Sequence, residues 1–255
     1  MIKAIMHGCN GRMGQMITGI IKEDNQIELV AGIDVSDHIQ NEYPVFKRIS
    51  DCNVKADVII DFASSKAVDD LLDYCAKTNT PCVLCTTGLS EEQLTHVKET
   101  AKQTGILKSA NMSLGINTLM KLLKDAANVL APAGFDIEIV EKHHNQKLDA
   151  PSGTALALAD SINEEFENEY EYVFDRSTRR EKRPEKEIGI SAVRGGSIVG
   201  EHDVIFAGMD EVITVSHTAY SRAVFAKGAV QAAKFLAGKK PGLYNMSNVI
   251  DDSAK

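Results

Sequence analysis

Through residues 1–112, short apolar runs alternate with segments in which apolar residues recur every three or four positions. The runs have the length of strands and end in glycine or polar turns, whereas the longer spacing is typical of helices that bury one face. The five predicted strands lie in IKAIMHG, IELVAGIDV, ADVIIDF, CVLCTTG and ILKSA. Nearly continuous apolar strands separated by helices predict a parallel sheet that is covered on both faces.

Three helices are predicted between these strands. The first spans residues 12–23, and the second follows the segment DFASS with apolar positions at helical spacing. The third begins at a capping box formed by Ser90 and Gln93, and Gly105 is expected to end it.

The pattern changes after residue 113. A long helix is predicted from Ser113 to about Ala131, and FDIEIVEKH then alternates apolar and polar residues like a strand with one exposed face. A helix follows Pro151, three strands are predicted in IGISAVRGG, DVIFAG and VITVSHTA, and a final helix runs from about Arg222 to Ala237. The predicted fold class is therefore α/β, with a Rossmann-like doubly wound parallel sheet domain and a second α+β domain with an open mixed sheet.

The distribution of charge narrows the choice of partners. Residues 163–187 carry dense mixed charge and predict a solvated loop; an arginine that contacts a ligand is the alternative. Over the whole chain, 28 basic and 36 acidic residues give a net charge of −8, which disfavours nucleic acid as a partner. No apolar run approaches the ~20 residues that cross a bilayer, and the amino terminus lacks the pattern of a secretion signal. We therefore expect no membrane contact and a cytoplasmic location.

Two of the five cysteines, Cys82 and Cys85, form a C-x-x-C motif in the fourth predicted strand. Such a motif can bind zinc or carry out redox chemistry, but no second cysteine pair or nearby histidine in the sequence completes a metal site. The apolar surroundings and the odd number of cysteines favour inert core thiols, and no metal is expected.

The segment HGCNGRMG places Gly8, Gly11 and Gly14 between the first strand and the first helix. Glycines there let the backbone approach a pyrophosphate, whose charge is met by N–H groups at the helix start. Asp34 ends the second strand 20 residues after Gly14, where a carboxylate can accept hydrogen bonds from adenosine ribose hydroxyls. The sequence predicts a dinucleotide site; a tight turn beside an unrelated surface carboxylate is the alternative.

The predicted cofactor is NADH or NADPH, with NADH favoured. The Asp34 carboxylate repels a 2′-phosphate, and the neighbouring Val35 provides no guanidinium to offset that repulsion. Arg12 or the Lys47–Arg48 pair would offset it only from positions that the sequence does not define.

Two further turns follow predicted strands. Thr86, Thr87 and Gly88 come after the fourth strand, and the segment from Ser109 to Ser113 comes after the fifth. Because ligands bind outside the carboxyl ends of parallel strands, both turns are candidates for contact with the nicotinamide half of the cofactor. Ordinary helix capping is the alternative role for their hydroxyl groups.

The segment EKHHNQKLDAPSGTA combines two histidines, a lysine and a helix entrance. His143 and His144 point to opposite faces of an extended chain, so they suit separate roles and not a shared metal ion. Histidine can donate a proton near neutral pH, and the Lys147 ammonium can hold a carboxylate or assist proton donation. Gly153 leaves N–H groups at the helix start accessible to an anion. Sheet-edge histidines beside a routine helix cap are the alternative.

The same segment fits the signature E-x-H-H-x-x-K-x-D-A-P-S-G-T-A, and here the chain resembles the bacterial 4-hydroxy-tetrahydrodipicolinate reductases of lysine and diaminopimelate synthesis. The resemblance extends over nearly the whole chain through GCNGRMG, DFASS, TTG, SANMSLGIN, RGGSIVGEH and FAKGAVQAAKFLAGKKPGLYNM. It implies hydride transfer from NAD(P)H to a small dianionic heterocyclic substrate, an unsaturated six-membered imine ring, giving tetrahydrodipicolinate.

The resemblance also implies roles for individual residues. His143 would be the general acid and Lys147 a second proton donor, while His144 and the backbone at Gly153 and Thr154 would bind the substrate's carboxylates. The residues that would line the cofactor are Gly8, Cys9, Asn10, Gly11, Arg12, Met13, Asp34, Thr86, Thr87, Gly88, Ala110, Asn111, Met112 and Ser113.

The family resemblance further implies which part of the chain binds the cofactor and which binds the substrate. Residues 1–112 would bind the dinucleotide, with residues 222–255 returning to that domain, and residues 113–221 would bind the substrate and join a homotetramer through their sheet. A regulator that senses NADH without turnover is a rival, but it leaves the histidine–lysine cluster unexplained. A reductase of another carboxylated imine or aldehyde is the alternative among enzymes.

Overall fold

The computed structural model describes residues 1–253. In chain order its strands are β1 (Ile2–His7), β2 (Ile27–Ile33), β3 (Val45–Phe46), β4 (Val58–Asp61), β5 (Cys82–Leu84), β6 (Gly105–Lys108), β7 (Asp136–His143), β8 (Glu171–Val173), β9 (Glu187–Arg194), β10 (Gly200–Ala207), β11 (Val212–Ala219) and β12 (Gly242–Tyr244). Its α-helices are α1 (Arg12–Lys22), α2 (Val68–Thr78), α3 (Glu91–Thr100), α4 (Leu114–Leu130), α5 (Gly153–Asn163), α6 (Ala223–Leu236) and α7 (Met246–Ser253). Within this range no helix is both long and apolar enough to cross a bilayer.

The strands form two sheets in two compact units. The first unit contains Met1–Leu114 and the chain from Ala223 onward, and its parallel sheet has the order β12-β6-β5-β4-β1-β2-β3. The second unit contains Gly115–Arg222, and its mixed sheet has the order β11-β10-β7-β9-β8, with β10 antiparallel to both neighbours. The predicted Rossmann-like domain and the mixed-sheet domain are confirmed.

Helices cover both faces of the parallel sheet because its strands are apolar on both sides. One face packs against α1, α6 and α7 through buried residues such as Ile17 and Ala229. The other face packs against α2 and α3 through buried residues such as Leu71 and Val97. Each fully buried leucine, isoleucine or valine stabilises this layer by roughly 1.5–3 kcal/mol relative to an exposed side chain.

In the second unit, α4 and α5 pack on one face of the mixed sheet through a single apolar cluster. Strand β7 alternates as predicted: Ile137, Ile139, Glu141 and His143 are buried, and the residues between them are only partly so. Since residues two apart share a face of a strand, the apolar row of β7 leads directly into two buried ionisable side chains.

Several details differ from the sequence prediction. The capping box of Ser90 and Gln93 is confirmed, because both of its hydrogen bonds form. Gly105 does not end α3; the helix ends at Thr100, and Gly105 is the first residue of β6. Strands β3, β8 and β12 were not predicted, since runs of two or three residues carry too little periodicity to be recognised.

The prediction of a solvated loop over residues 163–187 holds for residues 174–186, which form no helix or strand and are mostly exposed, but not for the short elements at residues 164–166 and 171–173. The segment contains β8, and its arginines bind carboxylates of the mixed sheet. Arg176 and Arg179 each donate to Glu187, which is 1% exposed, and Arg183 donates to two carboxylates of β7. Three arginines of this loop therefore pair with the sheet, while most of its other charged residues are exposed.

Two glycines of α1 differ in the space beside them, which gives a matched test of packing at the start of this helix. A Cβ at Gly14 would lie 2.2 Å from the Gly8 carbonyl oxygen, whereas one at Gly19 would meet no atom of the described chain within 4 Å. We expect Gly14→Ala to lower the free energy of unfolding by about 1–3 kcal/mol because the backbone must move. Gly19→Ala should raise it by up to ~1 kcal/mol, since alanine is the better helix former. Urea unfolding measures both, and equal effects would contradict close packing of α1 on the turn.

Candidate active site

The glycine turn between β1 and α1 is built by close backbone packing. Gly8 has a φ of +83°, and a Cβ there would lie 2.7 Å from the carbonyl oxygen of Phe62. Gly11, the N-cap residue before α1, provides no side-chain hydrogen bond to the helix, so N–H groups of the first turn remain for a ligand. Backbone N–H groups at such a helix start are suited to a pyrophosphate.

Asp34 follows β2 and ties the glycine turn to the next loop. Its carboxylate accepts hydrogen bonds from the backbone N–H groups of Asn10 and Ser36, each at 2.9 Å. The Asn10 side chain completes this link by donating to the Ser36 carbonyl at 2.6 Å. Because each carboxylate oxygen can accept more than one hydrogen bond, Asp34 retains capacity for ribose hydroxyls.

A cleft of about 350 Å³ lies beside this turn in the first unit. Lys47 and Arg48, which the sequence did not place, line it together with Asp34, and Val35 is 84% exposed. Both cations form long ion pairs with other carboxylates, at 3.5 Å and 3.8 Å. The cleft therefore contains both a carboxylate suited to a ribose and cations suited to a phosphate.

A row of buried polar side chains lies at the carboxyl ends of β1, β4 and β5. His7 Nδ1 lies 2.8 Å from one oxygen of Asp61, and the Thr86 hydroxyl donates to the other oxygen at 2.6 Å. Asp61 is 0% exposed and His7 is 6% exposed. Of these three residues only Thr86 was predicted to belong to a site. For His7 and Asp61, the sequence offered only their position near the carboxyl end of a predicted apolar strand.

The remaining predicted cofactor residues differ in exposure. Ser113 donates its backbone N–H to the Asn111 side chain at 2.8 Å, which fixes the loop after β6. Burial, followed by the charge of Asp34, raises the pKa of Cys9 to about 11, so this thiol stays protonated. The exposed members are Arg12, Thr87, Gly88 and Ala110, and the buried ones are Cys9, Asn10, Asn111, Met112 and Ser113. Met13 is half-buried.

Glu141 is the centre of the histidine site in the second unit. The carboxylate is 0% exposed and accepts from His143 Nδ1 at 2.6 Å, from the Ser152 backbone N–H at 2.9 Å and from two nitrogens of Arg194 at 2.7 Å. Burial raises the pKa of Glu141, but the hydrogen bonds from Arg194, His143 and Ser152 outweigh it and leave the pKa lowered. A carboxylate in this position fixes the proton of the His143 ring on Nδ1.

Ser152 connects this group to the start of α5. Its hydroxyl caps the helix by accepting the Ala155 N–H at 3.1 Å, and it also lies 3.1 Å from His202 Nε2. Burial, followed by the charge of His143, lowers the pKa of His202 to about 4. The His202 ring, 5.2 Å from that of His143, is therefore neutral near pH 7.

Lys147 lies in the turn between β7 and α5. Its ammonium pairs with Asp149 at 2.9 Å, and its backbone N–H donates to the His144 carbonyl at 3.1 Å. The pKa of Asp149 is lowered mainly by the hydrogen bond from Lys147, against the effect of burial, and the backbone N–H of Gly153 also contributes. A Cβ at Gly153 would meet no described atom within 4 Å, so the helix start is open on that side. Thr154, the next residue of α5, is half-buried.

Arg194 and His202 were missed by sequence reasoning, although both lie within or beside the segment RGGSIVGEH. Register explains their placement: Arg194 of β9 is opposite His143, and His202 of β10 is opposite Glu141. Pairing partners on neighbouring strands share a face of the sheet, so these side chains meet despite being far apart in sequence.

Comparison with known families supports this architecture. The model described as "Dihydrodipicolinate reductase, N-terminus" matches residues 2–112, and "Dihydrodipicolinate reductase, C-terminus" matches residues 115–250. The chain is 54% identical over 250 residues to the 4-hydroxy-tetrahydrodipicolinate reductase of Caldanaerobacter subterraneus subsp. tengcongensis, with 98% of each chain covered. It is 50% identical over 251 residues to that of Clostridium tetani, again with 98% of each covered.

A solved structure agrees with these relatives. The dipicolinate-bound dihydrodipicolinate reductase from Paenisporosarcina sp. TG-14 superposes with a TM-score of 0.81 at 28% identity, covering 97% of this chain and 99% of that one. Both halves of the chain thus match one enzyme family in sequence and in fold. The chain belongs to the dihydrodipicolinate reductase family of NAD(P)H-dependent oxidoreductases.

Proposed function

We propose that the protein reduces 4-hydroxy-tetrahydrodipicolinate to tetrahydrodipicolinate, in lysine and diaminopimelate synthesis, with a hydride from NADH or NADPH. The observation that carries this proposal is the Asp149 carboxylate, which pairs with Lys147 at 2.9 Å and whose pKa is also lowered by the backbone N–H of Gly153. A dianionic substrate requires groups that bind carboxylates. The Lys147 ammonium and the Gly153 N–H already interact with a carboxylate, that of Asp149.

The substrate carboxylate takes the place of Asp149 in this proposal. Lys147 supplies a compact positive charge, and the start of α5 supplies backbone N–H groups at Gly153 and Thr154. His144 lies in the same turn and provides a further hydrogen-bonding group. The solved relative from Paenisporosarcina sp. TG-14 is bound to dipicolinate, a dicarboxylate, which supports a substrate with two carboxylates.

His143 is the proposed general acid. Because Nδ1 is held by Glu141, Nε2 is the ring nitrogen that can hold and release a proton toward the substrate. A Cβ at Gly200 would lie 3.0 Å from Nε2, so glycine at this position keeps the nitrogen unobstructed. With a pKa of about 4, lowered first by burial, His202 is neutral near pH 7 and does not compete as the acid. Lys147 is the proposed second donor.

The residues of the first unit fit a dinucleotide. Gly8 and Gly14 would let the turn pack closely enough to present its N–H groups to the pyrophosphate, since a Cβ at either position would collide with backbone, and Asp34 would bind the adenosine ribose. When bound, NAD(P)H supplies the hydride. Asp34 favours NADH, while Lys47 and Arg48 in the same cleft support use of NADPH as well.

We also propose that the protein self-associates, as the family resemblance implies for a homotetramer joined through the mixed sheet. Helices α4 and α5 pack on the inner face of this sheet. On the outer face, Val193 of β9 and Val212 of β11 are 45% and 62% exposed. Exposed apolar residues on a sheet face are suited to packing against a second copy.

The proposed reaction is tested by mixing the purified protein with enzymatically generated substrate and following the nicotinamide absorbance. We expect oxidation of both NADH and NADPH, with the lower KM for NADH because Asp34 repels a 2′-phosphate. Tight binding of NADH without oxidation would instead favour the NADH-sensing regulator. Turnover only with a different carboxylated imine or aldehyde would identify the rival reductase.

Replacement of the proposed acid should separate chemistry from cofactor binding. We expect His143→Gln to lower kcat by about 10²–10⁴-fold, with little change in NADH affinity. Glu141→Gln should also lower kcat, because an amide no longer fixes the ring proton on Nδ1. Glu201→Gln, on the neighbouring strand and paired with Lys142, is the matched control with wild-type kcat. An unchanged kcat in His143→Gln would remove His143 from this role.

Two lysines close in sequence test the carboxylate site. We expect Lys147→Gln to raise the dissociation constant of pyridine-2,6-dicarboxylate roughly tenfold, because a charged hydrogen bond is lost. Lys142→Gln should leave it unchanged, because Lys142 pairs with Glu201 and Asp203 on the other face of β7. Calorimetric titration measures both constants. Equal effects of the two substitutions would indicate that Lys147 contributes only general positive charge.

A further inference from the structure

One buried ionisable group of the dinucleotide cleft has no role in the proposed reaction. His7 is the last residue of β1 and lines the cleft together with Asp34, although only 6% of it is exposed. Its Nδ1 lies 2.8 Å from Asp61, while Nε2 has no hydrogen-bond partner among residues 1–253. The buried side-chain atoms without a partner in the described chain belong to Arg194, His202 and His217, so Nε2 of His7 still reaches solvent and is accessible to a ligand in the cleft.

The position of His7 is set by the register of the parallel sheet. His7 of β1 is opposite Asp61 of β4, which in turn is opposite Leu84 of β5. Thr86 follows Leu84 by two residues and donates to Asp61 at 2.6 Å. The three polar side chains therefore lie on the same face of the sheet as Ile5. This face is covered by α2 and α3, and the polar side chains lie at its carboxyl edge.

The hydrogen bonds around Asp61 define which ring nitrogen carries a proton. Besides His7 and Thr86, the backbone N–H of Ala63 donates to Asp61 at 3.2 Å. Because a carboxylate only accepts hydrogen bonds, His7 must donate its Nδ1–H. In the neutral ring this leaves a lone pair on Nε2, which accepts from an O–H or N–H group.

We propose that His7 binds the adenosine half of the dinucleotide, with Nε2 accepting a hydrogen bond from a hydroxyl or amino group of that half. Asp61 acts as a positioning residue that holds the ring in the required tautomer. The adenosine half is assigned because the same cleft contains Asp34 and Val35, at the end of β2. This inference rests on the proposed function, since it requires that the cleft bind NAD(P)H.

Charge in the cleft agrees with a donor group as the partner of Nε2. The charged residues that line it with His7 are Asp34, Lys47, Arg48, Lys66 and Asp70. The lysines and arginine are the groups suited to a phosphate, whereas a nitrogen lone pair repels one. Ribose hydroxyls and the adenine amino group are the donors that this half of the molecule offers.

Calorimetric titration with ADP-ribose, which lacks the nicotinamide ring, tests the proposal directly. We expect His7→Phe to weaken ADP-ribose binding about fivefold to tenfold, the usual value of one hydrogen bond in a binding site. The matched control is His96→Phe: His96 pairs with Asp69 at 2.9 Å in the same unit but does not line the cleft. We expect this control to bind ADP-ribose like the wild type.

A purely structural role predicts a different result. In that case His7→Phe lowers the melting temperature but binds ADP-ribose as tightly as the wild type, which would overturn the proposal. If His7→Phe does not fold, NMR of the wild-type protein tests the proposal instead, through the ¹⁵N resonance of His7 Nε2. A shift of this resonance on saturation with ADP-ribose supports the proposal, and an unmoved resonance overturns it.

The outcomes also separate this inference from the proposed function. A wild-type protein that binds neither ADP-ribose nor NADH overturns both. A wild-type protein that oxidises NADH with substrate, together with a His7→Phe variant of unchanged ADP-ribose affinity, overturns only the role of His7.

Discussion

The buried carboxylate of Glu141 is the interaction on which the site in the second unit depends. Burying a charge costs several kcal/mol unless it is paired and its remaining lone pairs accept hydrogen bonds. Here His143, Ser152 and Arg194 supply those bonds, at 2.6–2.9 Å. One side chain therefore fixes the proposed acid, the first turn of α5 and the end of β9 together. Removing any partner would leave a buried charge incompletely satisfied, so the three elements are energetically coupled through this carboxylate.

The first unit uses the same physical arrangement with different residues. Asp61 is fully buried at the end of an apolar strand and accepts hydrogen bonds from His7, Ala63 and Thr86. In both units an apolar sheet face ends in a carboxylate whose donors come from neighbouring strands and loops. The hydrophobic layer holds each carboxylate in place, and the carboxylate in turn fixes the orientation of a histidine ring through its hydrogen bond to Nδ1.

The sequence predicted most of the fold because long elements carry strong periodicity, as in β7, where apolar and polar residues alternate over eight positions. His143 and Lys147 were predicted as site residues because they belong to one short signature, and their roles stay predictions. Arg194 could not be found in this way because it meets Glu141 only through strand register, 53 residues away. The pairing of three arginines in the exposed loop with sheet carboxylates was not predicted for a related reason: composition does not distinguish a charge that faces water from one that pairs with a sheet.

Two carboxylates of the segment from Glu141 to Asp149 differ in how firmly they are paired. Glu141 is 0% exposed and bound by Arg194 through two nitrogens, so this pair has the character of a permanent part of the fold. The Asp149 side chain is 57% exposed, and its pair with Lys147 contributes only about 0.2–1 kcal/mol, as exposed pairs do. Under the proposed function, a substrate carboxylate would displace this weak pair at little cost, whereas it would not displace Glu141. In the proposed reaction, a fixed buried pair beside an exchangeable exposed one would let the segment that contains Glu141 and Asp149 orient His143 and still release the product.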